Sequence, residues 1–140
     1  MSIVYTCFTT DIIHEGHLNI INESKKLGDL VVGVLDDSAL IKYNYFPLKS
    51  LEERKKMIEK IDGVKEVIVQ KDIMYDEIIS RLHPDYVVHG DNWKNGPMQV
   101  IRKNVEKLLN EYGGKIIDLP YTLNENTIRD EKRLREKLAM

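Results

Sequence analysis

Apolar positions along this chain follow two patterns that alternate from end to end. Ile3 to Phe8 and Leu30 to Leu35 are short, nearly continuous apolar runs, the pattern of strands covered on both faces. Val64 to Val69, with Val67, Ile68 and Val69 as its apolar centre, Tyr86 to Val88 and Ile116 to Leu119 read as three further strands. The stretches between them have helical spacing. From Glu15 onward, Leu18, Ile21 and Leu27 fall on one side, while Asn19, Asn22, Glu23, Lys25 and Lys26 fall mostly outside. Ser50-Leu-Glu-Glu53 is a capping box, so a helix begins at about Leu51, with Leu51, Met57, Ile58 and Ile61 inward and a stop at Asp62-Gly63. Met74 to Leu82 is a short helix ended by Pro84, and Val100 to Tyr112 a long one ended by Gly113-Gly114. A last, highly charged helix starts at about Thr127. Leu40 to Lys49 has no clean period, carries Pro47 and three aromatics, and reads as a loop able to fold over a neighbouring site.

Strands alternating with helices of roughly 10–15 residues imply parallel strands joined by right-handed crossovers. The expected fold is a doubly wound, Rossmann-like α/β domain with a five-stranded parallel sheet. At 140 residues the chain is the size of one domain, and it shows no internal repeat.

Charge and cysteine content narrow the partners. The 21 basic and 23 acidic residues are spread along the chain and give a formal charge of −2, so no basic face points to nucleic acid. A small-molecule partner is expected. The single cysteine, Cys7, cannot form an internal disulfide and reads as a buried structural thiol in the first strand. The chain starts without a basic leader and apolar run, and no stretch approaches the roughly 20 apolar residues of a membrane span, so a cytoplasmic protein is expected.

The candidate chemistry begins where the first strand ends. Thr9-Thr10-Asp11 favours a turn, and His14 and His17 then bracket the start of the first helix. Free backbone N–H groups and the positive end of the helix dipole make such a terminus an anion site, and Gly16 leaves room for a phosphate.

The string Asp11-Ile-Ile-His14-Glu-Gly16-His17 directly after a buried first strand resembles the HxGH signature of the nucleotidyltransferase superfamily, in the D-x-x-H-x-G-H form of the cytidylyltransferases. Ser50-Leu-Glu-Glu-Arg54 is similar to the family's E-x-R or E-R element, Pro84-Asp85 to its strand entry, and His89-Gly90-Asp91-Asn92-Trp93 to its G-D-D-W motif, all in family order. The resemblance covers most of the chain and is closest to cytidylyltransferases of phosphonate and glycerol phosphate metabolism. It implies attack by a phosphate or phosphonate oxygen on the α-phosphorus of CTP, a Mg2+ ion held mainly by the nucleotide phosphates, and a homodimer.

By that resemblance, His14, His17, Lys42 and Arg54 carry the catalytic charge work. The histidines would bond phosphate oxygens in the transition state, and Arg54 would hold the β- and γ-phosphates with its planar fork. Phe8, Thr9, Thr10, Asp11 and Gly16 would border the phosphates. The Gly90-Asp91 turn would lie beside cytosine and ribose, and Tyr121 and Thr127 would serve the triphosphate from the last loop. Trp93 suits packing and lining the base pocket equally. His83 and His89 receive no catalytic role, although His89 stands beside the site and is counted with the nucleotide-contacting residues.

Two departures stand out. Asn44 occupies the position of a usual phosphate-binding lysine, with Lys42 the nearest substitute, and Tyr121-Thr-Leu-Asn-Glu-Asn-Thr127 replaces the family's I-S-[ST]-T run. These favour a second reading, a non-catalytic nucleotide-binding domain. A third is an adenylyltransferase using ATP. The helical pattern running to Met140 without a stop resembles relatives that continue into a phosphoenolpyruvate mutase, so this domain is expected to be the N-terminal part of a longer protein.

Overall fold

The computed structural model describes residues 2–8, 13, 15–42, 48–94 and 98–120, the side chains of Lys42 and Asn92 excepted. Five strands are present: β1 (Ile3–Phe8), β2 (Asp29–Leu35), β3 (Val64–Gln70), β4 (Tyr86–Gly90) and β5 (Lys115–Leu119). Helices α1 (Glu15–Ser24), α2 (Asp37–Lys42), α3 (Leu51–Glu59), α4 (Asp76–Leu82) and α5 (Gln99–Asn110) connect them, with a 3₁₀ turn at Asp91–Lys94. All the pairings are parallel and the strand order is β3-β2-β1-β4-β5. The doubly wound sheet expected from the alternating pattern is the fold observed.

Each strand divides its side chains between two cores, as a period of two requires. Tyr5 and Cys7 of β1 and Val31 and Leu35 of β2 join Ile78 and Ile79 of α4 and Ile101, Val105 and Leu109 of α5. Val4 and Phe8 of β1 and Leu30, Val32 and Val34 of β2 join Ile20 and Ile21 of α1 and Ile58 of α3 on the opposite face.

The helices depart from the expected pattern in instructive ways. Leu18 and Leu27 are 42% and 36% exposed, and the buried face of α1 is His17, Ile20, Ile21 and Ser24. That face also has helical spacing, but two of its four members are polar, which hides it from a count of apolar residues. The stretch read as a loop from Leu40 begins within α2, because Ala39 and Leu40 bury themselves in the α4/α5 core and Leu40 N–H donates to the Asp36 carbonyl at 3.0 Å. The capping box of α3 forms as expected, with Glu53 N–H donating to Ser50 Oγ at 3.2 Å. Its buried residues are Arg54 and Ile58, while Leu51 and Ile61 are only half-buried.

The sheet opens at one place. β1 pairs with β2 along its whole length, from Ile3 opposite Asp29 to Phe8 opposite Val34. With β4 it pairs only at Val4 opposite Tyr86 and Tyr5 opposite Val87. Beyond those two positions the strands separate, and their carboxyl ends, Phe8 and Gly90, stand on either side of a crevice. This is also where the strand order reverses, the position at which open parallel sheets bind ligands.

Candidate functional site

A cleft of about 150 Å³ occupies this crevice. Thr6, Cys7 and Phe8 of β1 line it, with His17 and Ile20 on the α1 side and His89 and Gly90 on the β4 side. It reaches across to Leu35 and Gln70 at the ends of β2 and β3, to Tyr75 just before α4, and to Met98 and Ile101 at the start of α5. Among the described residues no aspartate, glutamate, lysine or arginine lines it.

His17 stands in the first turn of α1, where backbone N–H groups lack intrahelical acceptors. It is 7% exposed, and its ring meets the edge of Phe8 with centroids 4.8 Å apart. Packing against Phe8 and burial of the neighbouring Ile20 and Ile21 hold the imidazole toward the cleft rather than toward solvent. Gly16, half-buried, precedes it in the same turn. An imidazole and a helix N-terminus at the crevice together offer donors to an anion.

Arg54 lies elsewhere than a solvent-facing phosphate ligand would. Its side chain is fully buried behind the carboxyl end of β2, where Nη1 donates to the Leu35 carbonyl at 2.7 Å and Nη2 pairs with Asp37 at the start of α2. Its Nε finds no hydrogen-bond partner among the described residues. The guanidinium joins the end of β2 to α2, and Leu35, whose carbonyl it holds, lines the cleft.

At the β4 side, Trp93 is fully buried and stacks on His89 with centroids 4.0 Å apart and planes 7° from parallel. Of the two roles open to Trp93, packing behind the cleft wall is the one observed. Its Nε1–H donates to Asp118 Oδ1 at 2.6 Å, and Arg102 donates to the same carboxylate through Nε at 3.2 Å and Nη2 at 2.7 Å. Burial pushes the Asp118 pKa up, but the hydrogen bonds from Arg102 and Trp93 outweigh it and leave the carboxyl below its ordinary range. Burial lowers the His89 pKa, partly opposed by the Gly90 carbonyl and the Asp118 charge. His89 is therefore a neutral ring. Asp91 is exposed and opens the 3₁₀ turn.

Cys7 is 9% exposed and lines the cleft, and burial pushes its pKa up to about 12, so it is a thiol and not a thiolate nucleophile. No group of three or more His, Cys, Asp or Glu able to hold a metal occurs among the described residues. With no carboxylate on the described cleft wall, the chain's own residues there do not fit a resident metal.

Thr9, Thr10, Asp11, His14, Asn44, Tyr121 and Thr127 lie outside the described residues, as does the side chain of Lys42. The structure thus brings Phe8, His17, His89 and Gly90 to one crevice, with Gly16 next to His17 in the first turn of α1 and Arg54 and Trp93 behind its walls. The sequence reading missed Gln70, Tyr75, Arg102 and Asp118. For Asp118 a signal existed, a carboxylate inside the apolar run Ile-Ile-Asp-Leu, which calls for a partner wherever the strand is covered.

Residues 4–133 match the cytidylyltransferase-like family. The bifunctional protein HldE of Desulfatibacillum aliphaticivorans is 36% identical over 117 residues, covering 81% of this chain and 22% of that protein. An ethanolamine-phosphate cytidylyltransferase of Arabidopsis thaliana is 36% identical over 93 residues, 61% of this chain and 21% of the relative. The chain therefore spans about a fifth of the length of these two. An FAD synthase of Ferroglobus placidus is 26% identical over 93% of this chain and 95% of its own length. Among solved structures, a lipopolysaccharide core biosynthesis protein of Thermoplasma volcanium superposes with a TM-score of 0.74 at 26% identity, covering 87% of this chain and 98% of the other. No helix among the described residues is long and apolar enough to cross a membrane.

Proposed function

Because the chain belongs to the cytidylyltransferase-like family, we propose that it is a nucleotidyltransferase that moves CMP from magnesium-bound CTP to a small phosphate or phosphonate. The observation that carries the reading is the crevice between the ends of β1 and β4, with His17 in the first turn of α1 on one side and His89-Gly90 on the other. An acceptor oxyanion attacks the α-phosphorus. A new P–O bond forms, the bond from the α-phosphorus to the bridging oxygen breaks, and pyrophosphate leaves with that electron pair. The nucleophile is already charged, so catalysis consists of in-line positioning and stabilisation of charge on the phosphoryl oxygens. His17 and the α1 terminus supply donors for those oxygens. Magnesium arrives with the triphosphate as part of the substrate. Arg54 supports the site from behind by holding the end of β2 and Asp37.

The ethanolamine-phosphate cytidylyltransferase relative favours CTP and a phosphomonoester acceptor. The FAD synthase relative, similar over nearly its whole length, favours a second reading in which ATP donates AMP.

Pyrophosphate release from CTP or ATP with magnesium, across a panel of phosphomonoesters and phosphonates, tests the activity. His17→Ala is expected to lower turnover on the order of 10²-fold while changing nucleotide affinity much less, the behaviour of a contact that strengthens in the transition state. An equal loss of CTP affinity with turnover untouched would reduce His17 to a binding residue. Faster turnover with ATP would select the second reading.

A further inference from the structure

We propose that His89 reads the nucleobase by accepting a hydrogen bond from an exocyclic amino group, and that Asp118 and Arg102 are positioning residues that hold it in place through Trp93. The inference rests on nucleotide binding at this crevice.

The tautomer follows from one contact. His89 Nδ1 lies 2.8 Å from the Gly90 carbonyl oxygen, which can only accept, so Nδ1 carries the ring proton. Nε2 then carries a lone pair and is the polar atom the ring has left for a ligand in the cleft that His89 lines. Such an atom suits an N–H donor and repels a phosphate oxygen or a keto oxygen. A neutral ring, kept so by burial, cannot reverse these roles near neutral pH.

The ring plane is fixed from behind. Trp93 covers one face at 4.0 Å and is itself anchored by the 2.6 Å bond from Nε1 to Asp118 Oδ1. Asp118 is oriented by Arg102 from α5, whose Nη1 also pairs with Glu106 at 3.1 Å. Lys94 Nζ stands 3.9 Å from Asp118 Oδ2 and adds charge balance. Strand β5 and helix α5 thus set the angle of a side chain on β4 by way of Trp93, and the cleft takes a base bearing an amino group, cytosine or adenine, over its keto counterpart.

Calorimetric titration with two matched pairs, CTP against UTP and ATP against ITP, tests this with magnesium present. Each pair exchanges an amino group for a keto oxygen. The wild-type protein is expected to prefer the amino member of the pair it binds by about tenfold or more. His89→Leu should lose that preference by weakening the amino nucleotide. His89→Gln should lose it differently, by strengthening the keto nucleotide, because an amide can turn to donate or accept. Asp118→Asn should narrow the preference, and nitrogen NMR should show the His89 proton no longer confined to Nδ1. Equal affinity within each pair for the wild-type protein, or a preference unchanged in His89→Leu, overturns the proposal. Absence of binding by all four nucleotides instead refutes the nucleotide reading beneath it, and the NMR spectrum of the unliganded protein still decides the tautomer.

Discussion

Arg54 shows how one residue can matter to a site without facing it. A guanidinium with no exposed surface is costly to bury unless it is bonded, and Leu35 and Asp37 take two of its nitrogens. Asp37 is 45% exposed, so the pair is screened on one side and weaker than a wholly buried one. Arg54→Ala is expected to destabilise the fold by about 2–4 kcal/mol, combining lost charged hydrogen bonds with lost packing of the side-chain stem. Urea unfolding checks it. Loss of nucleotide affinity with stability unchanged would mean that the arginine meets phosphate directly.

At the scale of elements, β1 and β2 fit together through a gap left for one ring. Tyr5 is fully buried, and its hydroxyl donates to Gln70 Oε1 at 2.6 Å after passing over Gly33, where any Cβ would overlap it. Gln70 in turn donates to the Asp72 carbonyl at 2.7 Å, so the bond ties β1 to the β3 end that lines the cleft. Gly33→Ala should displace the tyrosine and cost about 1–3 kcal/mol by overpacking. Denaturant midpoints measure this, and an unchanged midpoint would show that the ring has other room.

Elements with a one-sided chemical signature were legible in the sequence. Short apolar runs, interrupted by charged residues in β3 and β5, marked all five strands, and the capping box marked the start of α3. The inward face of α1 was legible only at Ile21, because His17 and Ser24 look like surface residues and are buried by their neighbours. Nor was α2, whose six residues are helical because Ala39 and Leu40 find a core that composition cannot reveal. The same division holds for the site. His17, His89 and Gly90 stood in recognisable motifs, whereas Gln70, Arg102 and Asp118 become meaningful only once strands distant in sequence lie side by side.

Among the described residues, the molecule brings donors and a cleft lined by no Asp, Glu, Lys or Arg to the break in the sheet between β1 and β4. β1 pairs fully with β2 and only at two positions with β4, and everything proposed for the chemistry depends on that opening. Imidazole rings from α1 and β4 face it from opposite sides, and the described walls hold no carboxylate to repel a triphosphate. The most direct test is a titration of the isotopically labelled protein with magnesium and CTP, followed residue by residue through backbone amide and histidine ring signals. Saturable shifts concentrated at Phe8, Gly16, His17, His89 and Gly90, with β3 and the outer faces of α3 and α4 unmoved, are the predicted result. Shifts centred away from the β1/β4 opening, or none with either CTP or ATP, would contradict the account.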